Sequence, residues 1–299
     1  MTPLQHCSPE NVRFVCQGLD HPEGLCFTAD GSLLAGSEGG QIYRIDTSRC
    51  KGSAKPIAQT GGFVLGLCAD GSGNAYACDA SRNEVLRVDP SGAIQAVASG
   101  SLANPNGCAL DEHGNLFFTE SGTYHPADHN GRLFAVTSAG ALHCIHPGPL
   151  RFPNGIFVDS SESLLYVVES TAPRVAAYKI DGAALASLSP VRSIDLAPGT
   201  VPDGIALDIE GNIYVAYYAP DQIGVIRPDG SLETLYRDML GEWMNRPTNL
   251  VLRDNEIFFA NLGGWHIGSV RHEATALPPC MPAFGPGGSS GQAAGRRQR

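Results

Sequence analysis

Short apolar runs follow one another along the whole chain, each cut off by a turn rich in Gly, Asp, Asn or Pro. The clearest stretch reads Ile205–Asp208, a turn at Glu210-Gly211-Asn212, then Ile213–Tyr218, Gln222–Arg227 and Leu232–Arg237. Pro228-Asp229-Gly230-Ser231 joins the last two runs as a hairpin turn. The same script recurs as Cys108–Leu110, Leu116–Glu120, Arg132–Val136 and Leu142–Ile145, and as Leu25–Thr28, Leu33–Ser37, Gln41–Asp46 and Pro56–Gln59. Runs this short, with branched and aromatic residues between turn formers, predict β-strands. Helical periodicity is nearly absent, and only Tyr236–Asn245 predicts a single helical turn.

The runs group into a larger repeat. Four tetrapeptides mark it: His21-Pro22-Glu23-Gly24, Asn104-Pro105-Asn106-Gly107, Phe152-Pro153-Asn154-Gly155 and Val201-Pro202-Asp203-Gly204. Weaker copies stand at Val64-Leu65-Gly66 and Pro247-Thr248-Asn249. The third position falls at 23, 65, 106, 154, 203 and 248, in steps of 41 to 49 residues. A four-stranded propeller blade repeats at roughly 40–50 residues, so the chain predicts an all-β, six-bladed β-propeller. The sixth repeat runs Leu250–Arg253, Glu256–Asn261 and Ile267–Arg271 and lacks a fourth strand. Val12–Cys16 belongs to no repeat of its own and is expected to supply that strand, which closes the ring and removes its free edge. The expected organisation is an N-terminal extension over 1–11, the propeller over 12–284 and a disordered tail over 285–299, with Leu277–Phe284 packed on the body.

Composition narrows the partners. The chain has 299 residues, 42% hydrophobic and 17% charged, with 36 Gly and 21 Pro, as many short strands and tight turns require. A net charge of −10 without a basic run in the propeller region excludes nucleic acid as a natural partner. No apolar run reaches membrane-spanning length, and Met1–His6 has no signal-peptide character. Nine cysteines, odd in number and without a C-x-x-C pair, read as reduced; Cys26, Cys68 and Cys108 sit in apolar runs. This points to the cytoplasm. Oligomeric state is not written in the sequence.

The repeated position carries the chemistry. In a propeller the first strand of each blade lines the axis, so equivalent residues form a ring at one mouth. That ring reads Glu23, Leu65, Asn106, Asn154, Asp203, Thr248. Two carboxylates and two amides there suit a hard divalent cation. The absence of Cys and His from the ring argues against structural zinc. Each tripeptide alone also suits a turn, but Glu has no special turn role and the polar slot recurs four times.

On these repeats the chain resembles the calcium-dependent propeller superfamily of SMP-30/gluconolactonase-like proteins, with relatives among lactonases, paraoxonases and diisopropylfluorophosphatase. The resemblance covers about residues 12–271. It implies one catalytic metal ion held by Glu23, Asn106, Asn154 and Asp203, most naturally Ca2+, with Mg2+, Mn2+ or Zn2+ as alternatives. Sugar-lactone members often carry an Arg before the second ligand; here Leu102-Ala103-Asn104-Pro105-Asn106 has none.

Loops after the second strands rim the same mouth. Tyr124, His125 and His129 on the long loop Ser121–Gly131, with Tyr218, Trp265 and His266, are the candidate substrate contacts for a small molecule. His21 is a candidate orienter of Glu23. The reaction these residues favour is hydrolysis of a lactone or ester, the metal polarising the carbonyl and Asp203 and Glu23 as catalytic carboxylates. The same metal also serves phosphotriester hydrolysis, or a hydration, isomerisation or cyclisation. A non-catalytic binding propeller is the third reading. No G-x-S-x-G elbow, P-loop, H-E-x-x-H or dinucleotide fingerprint occurs.

Overall fold

The computed structural model describes residues 12–48, 52–180, 185 and 187–288. It holds twenty-four strands in six four-stranded antiparallel sheets, with no helix among the described residues. Blade one is Pro22–Phe27, Leu33–Ser37, Gln41–Ile45 and Ala54–Gln59; blades two to five repeat that order, starting at Val64–Ala69, Pro105–Leu110, Pro153–Asp159 and Val201–Leu207. Blade six takes Pro247–Arg253, Glu256–Asn261 and His266–Arg271 and borrows its outer strand from Val12–Gln17. Val12 pairs with Val270 and Gln17 with His266, so the ring is closed by the N-terminal strand, as the unpaired sixth repeat predicts.

Burial falls from axis to rim. Pro22–Phe27 and Pro153–Asp159 are buried throughout, whereas Ile94–Ala98 and Leu188–Asp195 are mostly exposed. Six hydrophobic clusters hold the molecule, one at each blade interface. Phe27 meets Phe258 edge-on where blade six joins blade one, and Phe118 stacks on Phe134 at the interface of blades two and three. Each interface is a sheet-on-sheet core, so removing any one blade exposes two apolar faces.

The turns after the first strands are fixed by a repeated Asp-to-Asn clamp. Asp70, Asp111 and Asp208 each accept from the backbone N–H and the side-chain amide of Asn74, Asn115 and Asn212. Tyr76 and Tyr214 add their hydroxyls to Asp70 and Asp208.

The stretch 238–246 is not helical. Asp238 instead accepts the backbone N–H groups of Leu240, Gly241, Trp243 and Met244, so its carboxylate organises a compact loop.

After Arg271 the chain crosses the end of the axis remote from the polar ring. Leu277 N–H donates to Leu207 O, Gly71 N–H to Pro282 O, and Ser160 Oγ lies 3.0 Å from Cys280 Sγ. The packing expected of Leu277–Phe284 runs further than the sequence implied: Tyr76 donates to Pro286 O and Gly285 N–H to Asp70. Residues 285–288 are thus part of the body, and the rest of the tail, like 1–11, lies outside the described residues. Between this strap and the ring the axis holds a cavity of about 660 Å³ lined mostly by first-strand residues. Among the described residues no helix is long and apolar enough to cross a membrane, and seven cysteines are free thiols, Cys144 exposed.

Candidate active site

Each first strand starts with an irregularity. Pairing to the second strand shifts between Pro22 and Leu25, Val64 and Gly66, Pro105 and Cys108, Pro153 and Ile156, Pro202 and Ile205, and Pro247 and Leu250. The residues inside these bulges are the ring residues and their successors. A bulge frees a residue from the ladder and re-aims its side chain, which is how a strand presents a group end-on at an axis.

The glycine after each ring residue shows how tightly the blades converge. A Cβ on Gly24 would lie 2.5 Å from Leu65 O, on Gly107 2.5 Å from Asn154 O, and on Gly204 2.6 Å from Thr248 O. Gly66 approaches Asn106 O and Gly155 approaches Asp203 O closer still. In blade six Asn249 takes the glycine's place, and Thr248 Oγ1 donates to Glu23 O at 3.3 Å. The six contacts form one closed circle, which places the predicted ring residues around one axis. Thr119 reinforces it, accepting from Gly107 N–H and donating to Asn154 O, both at 2.8 Å.

Glu23, Asn106, Asn154 and Asp203 are all at least 95% buried. Glu23 Oε2 and Asp203 Oδ1 are buried without a hydrogen-bond partner, as are Asp79 Oδ2, Arg87 Nε and Thr171 Oγ1; among these atoms only the first two belong to the ring. Asn154 Nδ2 donates to Ser170 Oγ at 3.2 Å, and Ser170 passes its own proton to Pro202 O at 2.7 Å. Burial pushes the Glu23 carboxyl well up, the neighbouring Asp203 adds to this, and Thr248 opposes it. Burial also lifts Asp203 to about 7 against the Asn154 amide. Two buried carboxylates with orphaned oxygens are unfavourable unless a cation compensates them. Among the described residues, the ring included, no group of three or more His, Cys, Asp and Glu side chains is placed to hold a metal, so a cation here would rest on two carboxylates and two amides. The donor set of two carboxylates and two amide oxygens therefore fits a divalent cation.

Above the ring lies a second tier, two residues earlier in each blade: His21, Phe63, Asn104, Phe152, Val201 and Arg246. Four of these have left-handed backbone, with φ of 41° at His21, 61° at Asn104, 55° at Phe152 and 51° at Arg246. Each precedes a proline, which normally drives its predecessor to extended backbone, so this collar is strained by about 1–3 kcal/mol per residue. Buried polar side chains hold the strain in place. Glu120 accepts Ala103 N–H, Glu169 accepts Arg151 N–H, and Asn261 accepts Asn245 N–H, each just before a collar residue. Glu120 and Glu169 are also paired to Arg132 and Arg174. These two glutamates are thus braces of the collar.

Three collar residues are roofed by aromatics. Trp265, half exposed, packs on His21 at 4.7 Å between ring centroids. Tyr124, 57% exposed, meets Phe152 edge-on at 4.9 Å. Tyr218 lies under the Arg246 guanidinium at 5.2 Å and accepts its Nη1 hydrogen at 2.8 Å. Burial raises the Tyr124 phenol, with smaller contributions from Tyr218 and Asp203.

The remaining candidates fall elsewhere. His266 is buried and its ring nitrogens contact Asn261, Trp243 O and Gly264 O, while its ring packs on Phe14, a structural role. His125 and His129 are exposed on their loop, with His125 Nδ1 accepting Ala127 N–H. His21 does not orient Glu23; its Nδ1 lies 2.9 Å from Asp20 and 3.1 Å from Glu38. Phe152, Arg246 and Thr119 carry the geometry without having stood out as site residues in the sequence.

The sequence model of the SMP-30/gluconolactonase/LRE-like region matches residues 95–252, more than half of the chain. The chain belongs to this family. Three solved structures show the breadth of its fold. A gluconolactonase of Xanthomonas campestris is 17% identical with a TM-score of 0.70, over 87% of this chain and 89% of that one. A luciferin-regenerating enzyme is 16% identical with a TM-score of 0.73, over 91% and 99%. A calcium-binding protein, regucalcin, of Agrobacterium tumefaciens is 15% identical with a TM-score of 0.70, over 91% and 98%. At these identities the likeness is one of fold. No curated protein sequence matches the chain.

Proposed function

We propose that this family member is a metal-dependent lactonase. The observation that carries the reading is the pair of orphaned carboxylate oxygens, Glu23 Oε2 and Asp203 Oδ1, buried beside two amides at the axis. Glu23, Asn106, Asn154 and Asp203 would hold one divalent cation, and the all-oxygen set favours calcium. Bound there, the cation supplies charge compensation and Lewis-acid polarisation of an ester carbonyl.

The chain's own residues do the rest. Asp203, whose Oδ1 has no hydrogen bond, would take a proton from an attacking water. Glu23 contributes charge. Ser170 fixes the Asn154 amide, and the circle of ring glycines fixes the distances between blades. Trp265, Tyr124 and Tyr218 wall the mouth and exclude bulk water from the ring.

The test is hydrolysis of a lactone panel by metal-stripped protein with each divalent cation restored. Calcium-restored turnover that vanishes in Asp203→Asn supports the reading; full turnover in that variant removes Asp203 from the chemistry. Because no arginine precedes Asn106, the panel includes aryl esters and phosphotriesters, and turnover of those alone moves the reaction class.

A further inference from the structure

The collar contains one permanently charged side chain. Arg246 is exposed, yet it is held at several points: its backbone N–H donates to Asp221 at 2.7 Å, its carbonyl accepts Leu262 N–H at 3.2 Å, and its guanidinium rests on Tyr218. One N–H of five goes to the Tyr218 hydroxyl, and among the described residues no carboxylate forms a salt bridge with it. Its counterparts at the same end of the molecule differ. Arg82, Arg132 and Arg174 are each paired with a glutamate and so are already neutralised. A left-handed φ of 51° before a proline fixes the direction in which the Arg246 side chain leaves the backbone, as it does at His21, Asn104 and Phe152.

From this we infer that Arg246 is the anchor for a carboxylate carried by the substrate, so that the site takes an anionic lactone or ester. A guanidinium with donors to spare is matched to a carboxylate by two parallel N–H···O bonds. Stacking on Tyr218 removes the rotamer freedom such a side chain otherwise loses on binding. It also confines the fork to the collar, two residues above Thr248 of the ring. In a chain of net charge −10, a fixed cation is what draws an anion to this mouth. Asp221 faces the same arginine through its backbone N–H and lowers, without abolishing, the local positive potential.

This inference rests on the lactonase reading only for the word substrate, and the test separates the two. Calcium-loaded protein is titrated with cyclopentanecarboxylate, which cannot turn over, and with the neutral cyclopentanecarboxamide. Arg246→Gln should weaken the carboxylate by about 10-fold or more and leave the amide unchanged. Arg246→Lys should keep part of the affinity. In parallel, Arg246→Gln should raise KM for 5-oxotetrahydrofuran-2-carboxylate far more than for its methyl ester. Carboxylate affinity equal in wild type and Arg246→Gln would place the anion on the metal and overturn the assignment. Equal losses for acid and amide, at an unchanged melting temperature, would reduce Arg246 to a structural post. Hydrolysis absent with the affinity gap intact would sink the lactonase reading alone.

Discussion

Replacing Gly107 by Ala tests the circle of contacts directly. The new Cβ would lie 2.5 Å from Asn154 O, 3.2 Å from Ile156 Cγ2 and 3.3 Å from Ile156 N. A carbon and a carbonyl oxygen in contact sit about 3.3 Å apart, so the shortfall is about 0.8 Å. The obstructing atom is backbone, and it belongs to a ring residue whose neighbours are also at closest approach, so no side chain can swing aside. Overpacking costs about 1–3 kcal/mol where side chains can yield, and this site belongs at the upper end. At about 2–4 °C per kcal/mol, the melting temperature should fall by about 6–12 °C. Gly140→Ala is the control: its φ is 89° but nothing lies within 4 Å, so it carries only the backbone cost. Scanning calorimetry of both variants, with and without calcium, reads the effect, and calcium titration should show weaker binding only in Gly107→Ala. A Gly107→Ala protein that melts with wild type and binds calcium as tightly would refute the converging-blade account of the site.

Two further predictions follow from buried charge. Calcium at a hundred times its dissociation constant should stabilise the stripped protein by about 2.7 kcal/mol, raising its melting temperature by about 5–10 °C. Glu23→Gln should abolish that shift and yet stabilise the stripped form, because it removes one of two facing carboxylates; a stripped Glu23→Gln protein less stable than wild type contradicts this. His272 lies between Tyr214 and Tyr236, and burial, with help from Arg227, lowers its pKa below the ordinary 6.5. The unfolded chain then binds the proton more readily, so this contribution is complete above pH 6.5 and is lost as the pH falls below it. His272→Phe should flatten the loss of melting temperature between neutral and mildly acidic pH, and an unchanged slope would exclude the histidine as its source.

The ring was legible in the sequence because one physical requirement writes itself six times. A bulge that turns a side chain to the axis, followed by a residue with no room for a Cβ, leaves Pro-polar-Gly as its imprint. Strand order and ring closure were legible for a related reason: a sixth repeat short of one strand and a spare run at Val12–Cys16 have one economical solution. The mouth was not. Trp265 on His21, Tyr124 on Phe152 and Tyr218 under Arg246 bring together residues from different blades or distant loops, and no spacing encodes such pairs. His266 looked like a rim group because it follows Trp265, but Trp265 ends a turn with a left-handed φ of 56°, whereas His266 opens the buried strand His266–Arg271. The helical turn at 236–245 failed because a single carboxylate, Asp238, outbid local propensity by taking four backbone N–H groups. Arg246 did not stand out in the sequence; aligning the position two before each ring residue would have set it beside His21, Asn104 and Phe152.

The ring's closure also dictates an order of events during synthesis. Val12–Gln17 leaves the ribosome long before the strand that pairs with it, which contains Ile267. Joining such distant ends is cheap, since each doubling of loop length adds only about 0.6 kcal/mol. The nascent chain must nonetheless carry two open edges, one on each side of the gap, for most of its time in production. The N-terminal strand is joined to Glu23 by Gly18–Pro22 alone, so a pull on that strand bears on the seam of the ring and, through it, on the proposed metal site.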